Sequence, residues 1–127
     1  MGYNGLKKSW IFPGQASQFV GMGKDLFDNT DIGKKYYNLA NDILEVDIQD
    51  ISFNGPEEKL KITKYTQPAI FIVSSVISHL LIENGHVPGC VAGHSLGEYS
   101  ALTAADGISF ETGLELVKIR SNSMDKA

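Results

Sequence analysis

Five consecutive residues, Gly93-His94-Ser95-Leu96-Gly97, constrain this chain more than any other stretch. Before them stands Cys90-Val91-Ala92, an apolar run that reads as a short buried strand. After them, from Leu96 to about Ala105, the residues Ala101, Leu102, Ala104 and Ala105 read as a helix. G-x-S-x-G between a strand and a helix is the pattern of a nucleophile elbow. The chain turns so tightly there that a Cβ at either glycine position would clash, and the serine is carried above the end of the strand. The N–H of Leu96 then faces the space over the serine, and the positive end of the following helix adds to the field there. The pentapeptide alone is short enough to recur by chance. The strand before it and the helix after it carry the reading.

The rest of the chain alternates in the same way. Lys8-Ser9-Trp10-Ile11-Phe12 reads as a second short strand, stopped by Pro13-Gly14. Helices are predicted over 22–27 and over 31–44, the latter capped by Thr30 or Asp31 with Tyr36, Tyr37, Leu39, Ala40 and Ile43 as its apolar positions. Residues 48–53 are ambiguous, a short helix being the one reading they offer. Asn54-Gly55-Pro56 is a turn, and 56–60 a helical turn. Thr66 is the expected N-cap of a long helix, with Pro68 in its first turn, Ile70, Phe71, Val73, Ile77, Leu80 and Leu81 at helical spacing, and Gly85 as a left-handed cap. After Asp106-Gly107 a last helix starts at Phe110 and runs almost to the end. The expected class is α/β, with a short parallel sheet and flanking helices. Two strands are too few for a complete sheet.

Composition narrows the function classes. The 127 residues suit one modest domain, and 43% apolar with 20% charged residues is ordinary for a globular protein. A net charge of −4, with lysines scattered apart from pairs such as Lys7-Lys8 and Lys34-Lys35, argues against a nucleic-acid partner. Cys90 is the only cysteine, so an internal disulfide is impossible and a cysteine-based zinc cluster is out of reach; both fit a reducing cytoplasm. The start Met1-Gly2-Tyr3-Asn4 lacks the layout of a signal peptide. Residues 69–82, interrupted by Ser74, Ser75, Ser78 and His79, read as too short and too polar to cross a membrane.

Four blocks together point further. They are Phe12-Pro13-Gly14-Gln15-Ala16-Ser17-Gln18, Tyr65-Thr66-Gln67-Pro68-Ala69, Gly93 to Leu102 around the serine, and 117–124 with Arg120. In this order and spacing the chain resembles the malonyl-CoA:acyl-carrier-protein transacylases of fatty-acid synthesis and the acyltransferase domains of polyketide synthases, over nearly its whole length. The resemblance implies a hydrolase-like three-layer subdomain of which 1–127 is the N-terminal part, without the later strands and the downstream ferredoxin-like subdomain. It implies that Ser95 attacks the thioester of malonyl-CoA and that the backbone N–H groups of Gln15 and Leu96 form the oxyanion hole. Gly93, His94 and Gly97 shape the elbow, Gln67 lines the site, and Arg120 binds the malonyl carboxylate with its planar fork. The malonyl ester would pass to the phosphopantetheine thiol of an acyl carrier protein, by two-step covalent catalysis without a metal or redox cofactor.

Arg120 is the chain's only arginine. On the last helix Phe110, Leu114, Val117, Ser121 and Met124 share one face at a period of about 3.6 residues, and Arg120 lies at its edge. Read without the resemblance, it is a surface arginine with its stem along apolar neighbours. Two departures from the family pattern stand out, Ala16 where many members have glycine and Ser121 where glycine commonly follows the arginine, whereas Leu96 suits malonyl-type members. The serine also needs a base. His79 reads as structural, His86 as a loop residue, and His94 as a packing residue behind the elbow; the family's histidine lies far downstream. The chain is therefore expected to be a fragment with little turnover, whose open sheet edge favours dimerisation. A serine esterase or thioesterase, and a non-catalytic binding fragment, stay open as alternatives.

Overall fold

The computed structural model describes residues 8–127; the start at Met1 to Asn4 and Lys7 lie outside the described residues. In chain order the elements are β1 (Ser9–Phe12), α1 (Lys24–Asn29), α2 (Asp31–Leu44), α3 (Ile48–Asn54), α4 (Glu57–Leu60), α5 (Thr63–Glu83), β2 (Cys90–Gly93), α6 (Gly97–Ala104) and α7 (Phe110–Asp125). β1 and β2 pair in parallel, with Ser9 opposite Cys90 and Phe12 opposite Gly93. The α/β class with a short parallel sheet and flanking helices stands.

Polar caps set several helix starts. Thr30 accepts from Gly33 N–H at 2.9 Å, Asp47 from Asp50 N–H at 3.0 Å and Ser109 from Thr112 N–H at 3.1 Å, each filling one orphan donor of α2, α3 and α7. α1 begins at Lys24, two residues later than the pattern predicts, because Gly23 sits in the left-handed region at φ 83°. The ambiguous segment after Asp47 is helical.

α5 is the axis of the core. Ile70, Phe71, Ile72 and Val76 are buried on it, against Tyr37 and Ala40 of α2, Ile48 and Ile51 of α3, Leu60 of α4, and Phe110, Leu114 and Val117 of α7. Its start differs from the expectation. Ile62 is the N-cap and Thr66 lies inside the first turns, its hydroxyl donating back to the carbonyls of Ile62, at 3.0 Å, and of Leu60. That back-bonding suits a threonine inside a helix as well as a cap, which is why Thr66 misleads. Pro68 consequently lies in the second turn rather than the first. At the other end Gly85, at φ 87°, gives its N–H to Ile82 and lets His86 reach the Leu81 carbonyl. This is the Schellman closure that only a residue tolerant of positive φ makes cheaply. With 21 residues α5 is, by length and composition, long and apolar enough to cross a membrane, contrary to the reading of 69–82; 61% of that span is buried inside the fold, as a core helix requires.

A second, smaller cluster seats the sheet on α6: Phe12, Ala101 and Ala104, flanked by Trp10 and Val91. β2 is not the buried strand expected from its apolar residues. Cys90 and Ala92 are exposed and Val91 is half-buried, because α6 covers only one face. The other face of β1 is open at Ile11, which is 78% exposed. It borders a groove of about 590 Å³ lined by Trp10, Ile11, Phe19, Val73, Ile77 and Leu81, among others.

Candidate active site

The elbow forms as its sequence dictates. β2 ends at Gly93, α6 starts at Gly97, and Ser95 between them holds φ 55°, a left-handed conformation that costs a non-glycine residue about 1 kcal/mol or more. Its two glycines are required by close approach. A Cβ on Gly93 would run into the backbone of Gly97, and a Cβ on Gly97 into the carbonyl of Phe12 at the end of β1. The turn is closed by Gly97 N–H to the His94 carbonyl at 2.9 Å and Glu98 N–H to that of Ser95 at 3.1 Å. His94 N–H continues the parallel ladder to the Phe12 carbonyl at 3.1 Å. Leu96 buries its side chain in the main core, with 1% exposure, and so pins the turn from below. Ser95 is left exposed on top.

The Pro13-Gly14-Gln15 loop leaves β1 beside this turn. Gly14 is packed so closely that a Cβ there would stand 2.7 Å from the His94 carbonyl oxygen. Among the described residues the N–H groups of Gln15 and Leu96 donate to no backbone or side-chain acceptor, whereas the next N–H, that of Ala16, donates to Gln18 Oε1 at 2.8 Å.

Arg120 reaches the elbow from α7. Its Nη2 donates to Ser95 Oγ at 2.9 Å and its Nη1 to Gln67 Oε1 at 2.7 Å. Gln67 has no exposed surface, so its amide needs partners. Beyond Arg120, its Nε2 donates to Gln15 Oε1 at 3.4 Å and to Met124 Sδ at 3.3 Å. Gln15 Nε2 in turn donates to Thr63 Oγ1 at 3.3 Å. Four residues that the sequence placed in one site, namely Gln15, Gln67, Ser95 and Arg120, thus form one connected hydrogen-bonded chain across the loop, α5, the elbow and α7. Arg120 is half-buried, and its guanidinium carbon lies 5.8 Å from the centre of the Tyr99 ring, within reach of a cation–π contact. The bland reading of a solvated surface arginine therefore does not hold.

Three participants escaped the sequence reading. Tyr99 stands on α6 and meets Arg120 of α7, so no local spacing marks it. Met124 shares the face of Leu114 and Val117 yet is 45% exposed, with its sulfur accepting from Gln67 Nε2. Thr63 carries no local signal, since its partner Gln15 is 48 residues away.

Among the described residues no histidine side chain hydrogen-bonds to Ser95. His79 is held between the Tyr36 hydroxyl and Glu83, at 3.2 Å each, as a structural residue would be. His86 is exposed in the loop after α5. His94 is exposed, with its ring beside the loop after β1, where a Cβ built on Gly14 would stand 3.3 Å from its Nδ1.

An exposed serine in a left-handed strand-to-helix turn, with a guanidinium on its hydroxyl, defines an α/β protein built around an elbow of the serine-enzyme type. Residues 9–127 match the acyl transferase domain family, and this chain belongs to it. Over 122 residues it is 47% identical to the malonyl CoA-acyl carrier protein transacylase of Synechocystis sp., covering 96% of this chain and 41% of that protein. With the Bacillus subtilis protein of the same name it shares 40% over 121 residues, covering 95% and 38%. It superposes on the crystal structure of the Synechocystis malonyl-CoA:ACP transacylase with a TM-score of 0.91 at 46% identity, over 95% of this chain and 41% of that one. A type II polyketide acyl carrier protein in complex with its malonyl-transacylase gives 0.88 at 38%, over 95% and 40%. The chain spans about two fifths of the length of these curated relatives.

Proposed function

We propose that this chain carries the acyl-accepting half of a malonyl-CoA:acyl-carrier-protein transacylase site. Ser95 Oγ attacks the thioester carbonyl carbon of malonyl-CoA, the C–S bond breaks, and coenzyme A leaves as its thiol with the serine proton. The phosphopantetheine thiol of an acyl carrier protein then attacks the serine ester and returns the proton to Oγ. The Gln15 and Leu96 N–H groups stabilise the oxyanion in both steps. Arg120, set by Gln67, takes the malonyl carboxylate. A base is still needed for the serine proton, and the family resemblance assigns it to a histidine beyond this chain. This chemistry calls for no metal or redox cofactor, and it belongs in the cytoplasm, away from nucleic acid and membrane.

The observation that carries the reading is the Arg120–Ser95 contact at 2.9 Å. A plain hydrolase elbow has no use for a fixed cation there, whereas an acyl group ending in a carboxylate does. Incubation with malonyl-CoA, followed by digestion and mass spectrometry, is expected to place a malonyl ester on the peptide containing Ser95. The ester should be absent from Ser95→Ala and formed more slowly from acetyl-CoA. Equal labelling by both thioesters, or release of free malonate as the main product, would argue for an esterase instead.

We also propose that two copies of this 127-residue chain associate through the open edge of β1. Ile11 and Phe19, 78% and 64% exposed, flank an apolar groove beside β1, whose edge away from β2 pairs with no strand among the described residues, the combination that templates edge-to-edge pairing. In relatives about two and a half times as long, further chain is available to cover such a face. Light scattering behind size-exclusion chromatography should report a dimer that Ile11→Lys converts to monomer. A monomeric parent chain would refute the association.

A further inference from the structure

We infer that Arg120 selects its acyl group by holding Ser95 until a carboxylate displaces it. The inference rests on the carboxylate-binding role just proposed for Arg120 and adds a competition between the two partners of one guanidinium.

The two arms of Arg120 are not equivalent. Nη1 is anchored at 2.7 Å to Gln67, which is wholly buried and has nowhere else to turn. Nη2 meets Ser95 Oγ at 2.9 Å, and Ser95 is exposed. The buried contact fixes the plane of the guanidinium. The exposed one can be exchanged for another acceptor without leaving a polar group unsatisfied, because water reaches the released hydroxyl.

A carboxylate is the acceptor best suited to make that exchange. Its hydrogen bonds to a guanidinium join two opposite charges, where the serine hydroxyl offers only a neutral acceptor, and it can take two parallel N–H groups where a hydroxyl takes one. The consequence falls on the nucleophile. While Nη2 donates to Oγ, one lone pair of the hydroxyl is engaged and its electron density is drawn toward a cation, both of which oppose attack on a carbonyl carbon. An acyl group that ends in a carboxylate frees Oγ as it binds. One that ends in a methyl, such as acetyl, leaves the contact in place. Arg120 then discriminates twice, by affinity for the right group and by restraint of the serine toward the wrong one.

The single arginine makes a direct test available. With ¹⁵N-arginine incorporated, Arg120 supplies the only guanidinium resonances of the chain. Sodium malonate is titrated into the parent chain, Ser95→Ala and Ser95→Gly, with neutral malonamide as the control. The glycine variant suits φ 55°, so it guards against a fold defect in the alanine variant. The expected result is a saturable shift with malonate and none with malonamide. Affinity should rise roughly three- to tenfold in both variants, because removing one modest hydrogen bond removes the competitor. Equal malonate affinity in all three proteins overturns the competition and leaves the carboxylate site standing. No response of Arg120 to malonate in any of them overturns the carboxylate site, and the competition falls with it.

Discussion

Gly14 lies against the carbonyl oxygen of His94: a methyl carbon built on Gly14 would stand 2.7 Å from it. This contact joins the loop after β1 to the turn that presents Ser95, and so fixes the distance between the Gln15 and Leu96 N–H groups. Gly14 is not at positive φ, so alanine is allowed by its backbone and only the contact resists it. Gly14→Ala is expected to cost about 1–3 kcal/mol, the usual range for overpacking against a rigid neighbour, measured by urea denaturation. It should also slow ester formation on Ser95 more than it weakens malonate binding at Arg120, because it moves the loop and not α7. An unchanged denaturation midpoint would mean that the loop yields without cost.

One residue along, Ala16 holds φ 84°, a conformation that favours glycine. The departure from the family pattern at this position is therefore a strained residue. Its N–H is already used by Gln18 Oε1 at 2.8 Å, so substitution need not disturb the hydrogen bonding. Ala16→Gly relieves about 1–2 kcal/mol of left-handed strain and gives back part of it as unfolded-state entropy. A net gain of about 0.5–1 kcal/mol is expected in urea denaturation. A loss of stability would show that the alanine methyl makes a contact worth more than the strain.

The limits of legibility follow from range. The elbow could be read because its determinants are local: two glycines, a serine, an apolar run before and alanines after. Helices α2 and α7 could be read for the same reason, with polar caps at Thr30 and Ser109 and a period that the fold respects. What failed was burial and capping set from a distance. Val91 and its neighbours are apolar, yet β2 is half open because only α6 packs on it. Thr66 carries the chemistry of a cap, yet α5 starts three residues earlier and the hydroxyl folds back onto the helix. The site itself was legible as separate residues only through the family blocks. That Gln67 joins Arg120 to Gln15, and Gln15 to Thr63, is a property of three chain segments meeting, which no periodicity records.

Tyr37 gives a prediction in the alkaline range. Its ring has no exposed surface and its hydroxyl has no hydrogen-bond partner among the described residues. Burial first, and the charge of Asp25 second, raise its pKa above the ordinary tyrosine range. Tyr36 moves the same way through burial, Glu111 and Glu83. In the unfolded chain both hydroxyls lose their protons near pH 10, while the folded chain retains them at higher pH. The unfolded state thus binds fewer protons, and stability, full below about pH 10, falls as pH rises beyond it. Tyr37→Phe removes the buried unpaired hydroxyl and should be neutral or up to about 1 kcal/mol stabilising at neutral pH. It should also flatten the decline, seen as a smaller drop in urea midpoint between about pH 8 and pH 11. A decline as steep as the parent's would assign the alkaline loss to other groups.

Gln67 offers the sharpest separation of stability from site geometry. Replacing it with leucine keeps most of the volume within α5 but strands Arg120 Nη1 and removes the donor to Gln15 Oε1. Because Arg120 is only half-buried, water can reach part of the stranded group, and a loss of about 1–3 kcal/mol is expected. Arg120→Ala leaves the buried Gln67 Oε1 without its donor and should cost a comparable amount, although Gln67 Nε2 keeps its bonds to Gln15 and Met124. The double variant Gln67→Leu with Arg120→Ala should recover a coupling of about 1 kcal/mol or more, as contacting residues in one network do. Urea denaturation of the four proteins completes the cycle. Strict additivity would mean that Gln67 does not hold Arg120, and that the guanidinium is aimed at Ser95 by its packing on Tyr99 alone.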